Sequence, residues 1–363
     1  MARMTHDFLI IGGGIAGIAA AATLSPLGQV LLLEAEDHFA HHASGRSAAL
    51  FEPSYGLPPI NALSRASEDH LAHADGGVLS ARGFMVVAGA EERAAFQADC
   101  TAMAMTRISV EEACARVPIL NPETVALTAI ADHAQDIDTD LLIQNFLRRA
   151  RANGGQTLTG ARVTAIARRG GAWQVETPKG SFRAAALVNA AGPWADQVAQ
   201  MAGAAPMGLT PYRRSMARIP APGGHDVSGW PMIFGAGESW YAKPDAGALI
   251  VSPADEDPST PHDAYADDMV LAEGIARYEA RMRVPVTRLL ANWAGLRTFA
   301  SDRVLVIGPD PALPDFFWSA GQGGYGFQTS AGAANLLAAL VGGTAPQLEA
   351  DMVAALSPGR FAR

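Results

Sequence analysis

Cys100 and Cys114 are the only two thiols in 363 residues, and neither belongs to a paired metal or redox motif. That argues against a disulfide framework or a thiolate metal centre and points to a reducing compartment. Both thiols read as small apolar core residues. Positive charge is also short. Lys and Arg total 27 against 36 Asp and Glu, a formal net charge of −9 with no basic run, so nucleic acid and anionic membrane are poor partners. No stretch resembles a membrane-spanning helix of roughly 20 apolar residues. Phe8 to Leu24 imitates a signal-peptide core, but Asp7 precedes it in place of positive charge and its glycines fall at a meaningful spacing. The chain is therefore expected to be cytoplasmic, with no membrane span. Charged residues make up only 17% against 49% apolar, which reads as a globular protein and not a disordered one. The length leaves room for two domains.

What is present begins at the N-terminus. Phe8–Ile11 is a wholly apolar run, as expected of a buried parallel strand. Gly12, Gly14 and Gly17 follow at GxGxxG spacing, and Ile15 to Leu24 carries a helix pattern. Val30 to Leu33 is a second apolar strand, ending in Glu34. Each part has a task. Gly12 permits a tight strand-to-helix turn, Gly14 lets the backbone approach a pyrophosphate, and Gly17 lets the helix pack close on the strand. The helix start, with Ile15 and Ala16, offers free N–H groups and partial positive charge to phosphates. Glu34 and the adjoining Ala35 stand where a carboxylate can accept both ribose hydroxyls and repel a 2′-phosphate. This unit predicts a dinucleotide and leaves FAD and NAD both open.

Later segments add to it. His41-His-Ala-Ser-Gly-Arg-Ser-Ala-Ala49 leads into a Pro/Gly-rich loop, Glu52 to Pro59, where an NAD dehydrogenase would continue its α/β alternation. Val163–Ala167, Trp173–Thr177 and Ser181–Arg183 alternate as strands of a meander around the Gly170-Gly171 turn. Ala186 to Asp196 reads as a strand, a glycine turn at Gly192 and a helix. Trp293-Ala-Gly-Leu-Arg297, an apolar strand from Val304 to Gly308, and Gly321-Gln-Gly-Gly-Tyr-Gly326 ahead of an alanine-rich helix from Phe327 to Leu340 complete the chain.

Together these motifs resemble the D-amino-acid oxidase superfamily of flavoenzymes, along essentially the whole chain. Asp138, Pro211-Tyr-Arg-Arg-Ser215, Tyr241-Ala-Lys-Pro-Asp-Ala-Gly247 and the glycines from Gly321 are most similar to its bacterial D-arginine dehydrogenase branch. The resemblance implies an α/β fold. A Rossmann-type FAD-binding domain (1–80, 137–207, 290–363) would interleave with an α+β substrate domain built on an antiparallel sheet (81–136, 208–289). It implies non-covalent FAD, held at the first βαβ unit and at Gly45, Arg46, Ser47, Ala48 and Ala49, with the Gly-Arg-Ser stretch opening a helix. Val163 would border the adenine. Ala191, Gly192, Trp194, Gly295, Arg297, Gly323, Gly324, Tyr325, Gly326, Gln328 and Thr329 would complete the cofactor contacts. The helix after Gly326 would point its positive end at the flavin pyrimidine ring.

The resemblance also implies a substrate site. Arg214 and Arg297 match two arginines that bind a substrate carboxylate, for which a guanidinium offers a planar fork. Tyr241 matches a tyrosine facing the substrate, Tyr55 one on a mobile lid, and Gly295 and Gly324 positions of close backbone approach. Met232 and Phe234 are expected in the pocket wall. Two residues depart from the branch. Phe84 replaces a glutamate that pairs the guanidinium of D-arginine, and Leu50 replaces a histidine near the flavin. An unpaired guanidinium there costs several kcal/mol, whereas apolar side chains gain roughly 25 cal/mol per Å² buried. The expected reaction is oxidative deamination of apolar or aromatic D-amino acids to 2-oxo acids and ammonia, by hydride transfer from Cα to flavin N5. No general base stands out, since His41 and His42 read as surface or phosphate-side residues. No metal is expected. The electron acceptor, a quinone, another carrier or O₂, stays open. The alternatives are a glycine, sarcosine or other secondary-amine oxidase, an NAD-dependent dehydrogenase, and a non-catalytic flavin-binding subunit.

Overall fold

A computed structural model describes residues 5–361. Thr5–Ile11 and Val30–Leu33 are parallel neighbours joined through the helix Ile15–Leu24. That helix is buried nearly all round, because it packs against the helices Thr139–Ala152 and Ser330–Gly342 as well as the sheet. Val30–Leu33 pairs outward with Gln156–Leu158, and Thr5–Ile11 pairs on its other side with Gly180–Asn189.

Gly180–Asn189 is one long strand. Its first half pairs antiparallel with Ala172–Thr177, itself paired with Ala165–Arg169, and its end pairs parallel with Phe316–Ala320. The sequence reading separated a meander strand at Ser181–Arg183 from a returning strand at Ala186. No glycine or proline interrupts residues 181–189, so the extended chain runs straight through. Val306–Pro309 closes this eight-stranded sheet against Phe316–Ala320.

A nine-stranded sheet forms the second layer, with Met232–Gly235, Tyr241–Asp245, Ala248–Ser252 and Thr210–Pro220 in its middle. Its pairings are antiparallel except that of Met232–Gly235 with Phe84–Ala88. Ala291–Phe299 pairs along Thr210–Pro220, which brings the W-A-G-L-R segment beside Arg214. Alternation along these strands gives the sheet two faces. Met85, Val87, Ile233, Ala242, Leu249 and Val251 share one hydrophobic cluster with Tyr278 of the helix Asp268–Glu279. Phe84, Val86, Met216, Met232, Phe234 and Tyr241 share another, joined by Leu50 and Tyr55. Between the two layers a three-stranded sheet of Leu50–Phe51, Leu79–Ala81 and Gln135–Ile137 carries the chain across. Among the described residues no helix is long and apolar enough to cross a membrane.

Candidate active site

A cavity of about 490 Å³ runs between the two layers, from Glu34 past the glycine loop to Arg297. At the Glu34 end, Gly12 adopts φ +112°, and a Cβ there would lie 2.3 Å from the Ala190 carbonyl oxygen. A Cβ on Gly17 would lie 1.9 Å from the Gly12 oxygen, so both positions require glycine. The helix that follows has no side-chain cap at Gly14 and no acid in its first turn. Ile15 N–H donates to Ser44 Oγ at 3.0 Å, and Ile15 and Ala16 face the cavity. A helix start with a glycine at its N-cap and no acid in its first turn attracts anions. Glu34 is buried, and its carboxylate accepts from Gly13 N–H at 2.6 Å and Glu36 N–H at 2.8 Å.

At the other end the strand pairing explains which arginines meet. Arg214 pairs with Gly295 and Tyr212 with Arg297 on adjacent antiparallel strands. Arg214 and Arg297 are therefore diagonal neighbours on one face. Arg213 points to the opposite face, where Asp255 and Asp257 bind it. Arg214 is 2% exposed and donates to Glu238 Oε1 at 2.7 Å and Glu256 at 3.4 Å. Its Nε and the Tyr241 hydroxyl are buried without a hydrogen-bond partner among the described residues. The Arg297 guanidinium lies against Gly324, and among the described residues its one hydrogen bond is a long one of 3.4 Å to Glu238 Oε1. Burial opposes the charge of Arg297, but Tyr241 and Glu238 outweigh it and hold its pKa above the ordinary arginine value.

Glu238 was not anticipated from sequence. Besides the two arginines it accepts from the Tyr55 hydroxyl at 2.7 Å. Burial pushes its carboxyl up, but the guanidinium groups of Arg214 and Arg297 hold it below the ordinary carboxylate value. It is anionic at neutral pH and a poor proton acceptor. Burial and Glu238 together push the Tyr55 phenol well above its usual range.

Aromatic and aliphatic side chains wall this end. Phe84 is 1% exposed, its ring edge-on to Phe234 at 4.5 Å, and Phe234 stacks on Tyr241 at 5.3 Å. Met232, Met216 and Leu50 complete the wall. The segment expected to form a lid is tied down: Gln328 donates to the Tyr55 carbonyl at 3.2 Å and accepts from Glu52 N–H at 3.3 Å. Buried Lys243, also unanticipated, donates to the Ala49 carbonyl at 2.6 Å and pairs with Asp136 at 2.9 Å, pinning the loop that precedes Leu50.

Most residues singled out from sequence line the cavity, including Ala35, Ser47, Ala48, Ala49, Val163, Ala191, Gly192, Trp194, Gly295, Gly323, Gly324 and Gly326. Gly17, Gly45, Tyr325 and Thr329 stand behind that lining. Gly17 and Gly45 serve close backbone packing, and Tyr325 packs on Tyr55 at 5.4 Å. The Gly-Arg-Ser stretch opens no helix. Ala43–Arg46 is one 3₁₀ turn followed by extended chain, because the Arg46 guanidinium is drawn across to the Ala264 and Ala294 carbonyls and to Asp263. The C-terminal helix starts at Ser330, three residues after the expected Phe327, which leaves Phe327 and Gln328 free to line the cavity. His41 and His42 lie with Glu36 at the Glu34 end, their potential ligand atoms and that of Glu36 within 4.8 Å of one another, and Arg162 pairs with Glu36 at 2.8 Å.

Residues 7–340 match the FAD dependent oxidoreductase (DAO) family. The chain belongs to that family. Its FAD dependence fits the cavity, which joins the glycine loop, the helix start and the buried Glu34 carboxylate to the chamber at Arg214 and Arg297. This oxidoreductase is 32% identical over 211 residues to mitochondrial dimethylglycine dehydrogenase of Homo sapiens, covering 54% of this chain and 24% of that protein. It is 26% identical to the tRNA 5-methylaminomethyl-2-thiouridine biosynthesis bifunctional protein of Burkholderia multivorans, covering 97% of this chain and 59% of that one. It thus spans about a quarter and about three fifths of these two relatives. Among solved structures, glycine oxidase from Geobacillus kaustophilus superposes with TM-score 0.84 at 21% identity, covering 98% and 99% of the two chains. L-proline dehydrogenase from P. horikoshii gives 0.84 at 20%, covering 99% and 98%. These likenesses establish the shared fold.

Proposed function

We propose that this FAD-dependent oxidoreductase deaminates D-amino acids with apolar or aromatic side chains to 2-oxo acids and ammonia. The observation that carries the reading is Arg297, a guanidinium at the cavity's aromatic and aliphatic end whose one hydrogen-bond partner among the described residues, Glu238, stands 3.4 Å away. Such a group is costly unless an anion completes it. The substrate carboxylate is that anion, with the Tyr241 hydroxyl and Arg214 Nε as further donors. FAD supplies the two-electron acceptor for the hydride that leaves Cα. Its contacts belong to Gly12, Gly14, Ile15, Ala16, Glu34 and the Ser44–Ala49 loop at one end and to Gly323, Gly324, Gly326 and Gln328 at the other. Phe84, Met232, Phe234 and Leu50 take the side chain and exclude water. Positioning supplies most of the acceleration. No residue of the chamber is assigned as base, so the amine enters neutral. The division into 1–80, 137–207 and 290–363 for the cofactor and 81–136 and 208–289 for the substrate belongs to the same proposal.

The D configuration rests on the motif likeness to the D-arginine dehydrogenase branch. A second reading, oxidation of glycine or an N-methyl amino acid, is favoured by the names of several relatives, dimethylglycine dehydrogenase and glycine oxidase among them. Anaerobic flavin bleaching across D- and L-amino acids, glycine and sarcosine separates the two. Preference for D-leucine, D-phenylalanine or D-methionine supports the first reading. Fastest bleaching by sarcosine, with formaldehyde released, replaces it with the second. A panel led by D-arginine or D-lysine overturns the apolar pocket.

A further inference from the structure

Glu238 sits where an incoming carboxylate would have to go. Its Oε1 accepts from Arg214 at 2.7 Å and Arg297 at 3.4 Å, and its Oε2 accepts from Tyr55 at 2.7 Å. Two carboxylates cannot share those donors without strong mutual repulsion at such short range. We propose that Glu238 is an internal occupant of the anion clamp, displaced by the substrate carboxylate, and that it thereby sets the affinity of the site for carboxylates.

The local structure suits a side chain that leaves. Glu238 lies in the turn after the strand Met232–Gly235 with φ +54°, beside Gly237 at φ +67°. That turn is held by Gly237 N–H to Asp99 at 2.8 Å and Gly235 N–H to the Trp240 carbonyl at 3.0 Å, neither of which involves the Glu238 side chain. The side chain is 29% exposed, so it can rotate to water without opening the core. Charge is conserved in the exchange: one carboxylate departs from between two guanidinium groups and another takes its place. Arg214 keeps Glu256 throughout, and Glu256 is also paired with Arg303 at 2.7 Å. The unpartnered Arg214 Nε and Tyr241 hydroxyl are donors that Glu238 does not satisfy and a differently placed carboxylate could.

This inference rests on the reading of Arg214 and Arg297 as the substrate clamp, and the test keeps the two apart. Benzoate, which carries the carboxylate and no oxidisable amine, is titrated into the flavin-loaded wild type, Glu238→Gln, Glu238→Ala and Arg297→Met, with benzamide as the uncharged control. Flavin absorbance reports binding. Removing the Glu238 charge should tighten benzoate at least tenfold and leave benzamide unchanged, and KM for the best D-amino acid should fall. Unchanged or weaker benzoate binding in Glu238→Gln overturns the proposal. If Glu238→Ala loses flavin, Glu238→Gln decides, since its amide keeps the shape and can still accept from Tyr55. Weak benzoate binding in Arg297→Met alongside no gain in Glu238→Gln discards the internal occupant and retains the clamp. No effect of Arg297→Met discards the clamp and the occupant with it.

Discussion

Replacing Arg297 by Met should remove most of the catalytic efficiency and almost none of the stability. Among the described residues the guanidinium makes one hydrogen bond, at 3.4 Å, to a Glu238 that retains Arg214 at 2.7 Å and Tyr55 at 2.7 Å. Methionine keeps the apolar stem and loses only the guanidinium that lies against Gly324, so the change in folding free energy should stay within about 1 kcal/mol. Substrate binding loses far more. A charge-assisted hydrogen bond contributes about 1.5–3 kcal/mol, so a two-pronged contact with a carboxylate contributes about 3–6 kcal/mol. That is about 10²–10⁴-fold in kcat/KM. The assay is anaerobic flavin reduction by the best D-amino acid, with flavin content and thermal melting recorded alongside. A loss below about tenfold, in a variant that keeps its flavin, would refute the assignment of Arg297 to the carboxylate.

Gly17→Ala places a methyl 1.9 Å from the Gly12 oxygen, a backbone atom that cannot rotate away, so the helix must lift from the strand. It should destabilise by at least about 1–3 kcal/mol and lower the flavin-to-protein absorbance ratio, and full flavin content at an unchanged melting temperature would contradict this. Phe84→Glu puts a carboxylate opposite Phe234, and the ratio of kcat/KM for D-arginine over D-leucine should rise at least about tenfold, because a guanidinium then finds a partner. An unmoved ratio would mean that the substrate side chain does not reach residue 84. The pH response follows from Glu238. Its folded pKa is depressed below the ordinary 4.5, so its ion pairs stabilise the fold above that value, and the contribution is lost as pH falls through the depressed pKa. Glu238→Gln should therefore flatten the acid limb of melting temperature against pH, and an unaltered limb speaks against the ion pairs. At alkaline pH, kcat/KM should rise as the substrate amine deprotonates.

Short-range constraints were legible in the chain itself. The helix Ile15–Leu24 and the strand Val30–Leu33 have the expected bounds, because glycine conformation, apolar runs and a terminal acid act over a few residues. Period-two alternation also separates Arg214 from Arg213 once a strand is granted, since neighbours on a strand face opposite ways. What the sequence could not state is anything set by register between distant strands. The pairing of Thr210–Pro220 with Ala291–Phe299 places Arg297 diagonally from Arg214, and nothing local encodes it. Glu238 and Lys243 escaped for the same reason. An acid after a glycine reads as an exposed turn, and a lysine two residues after a tyrosine reads as solvated, until folding brings partners from far along the chain: Tyr55 and Arg214 to the one, Ala49 and Asp136 to the other. The sequence alone thus determined the dinucleotide-binding unit, whose physics is local. The tertiary structure decided the charge balance of the substrate chamber, because Coulomb forces depend on distances that only packing sets.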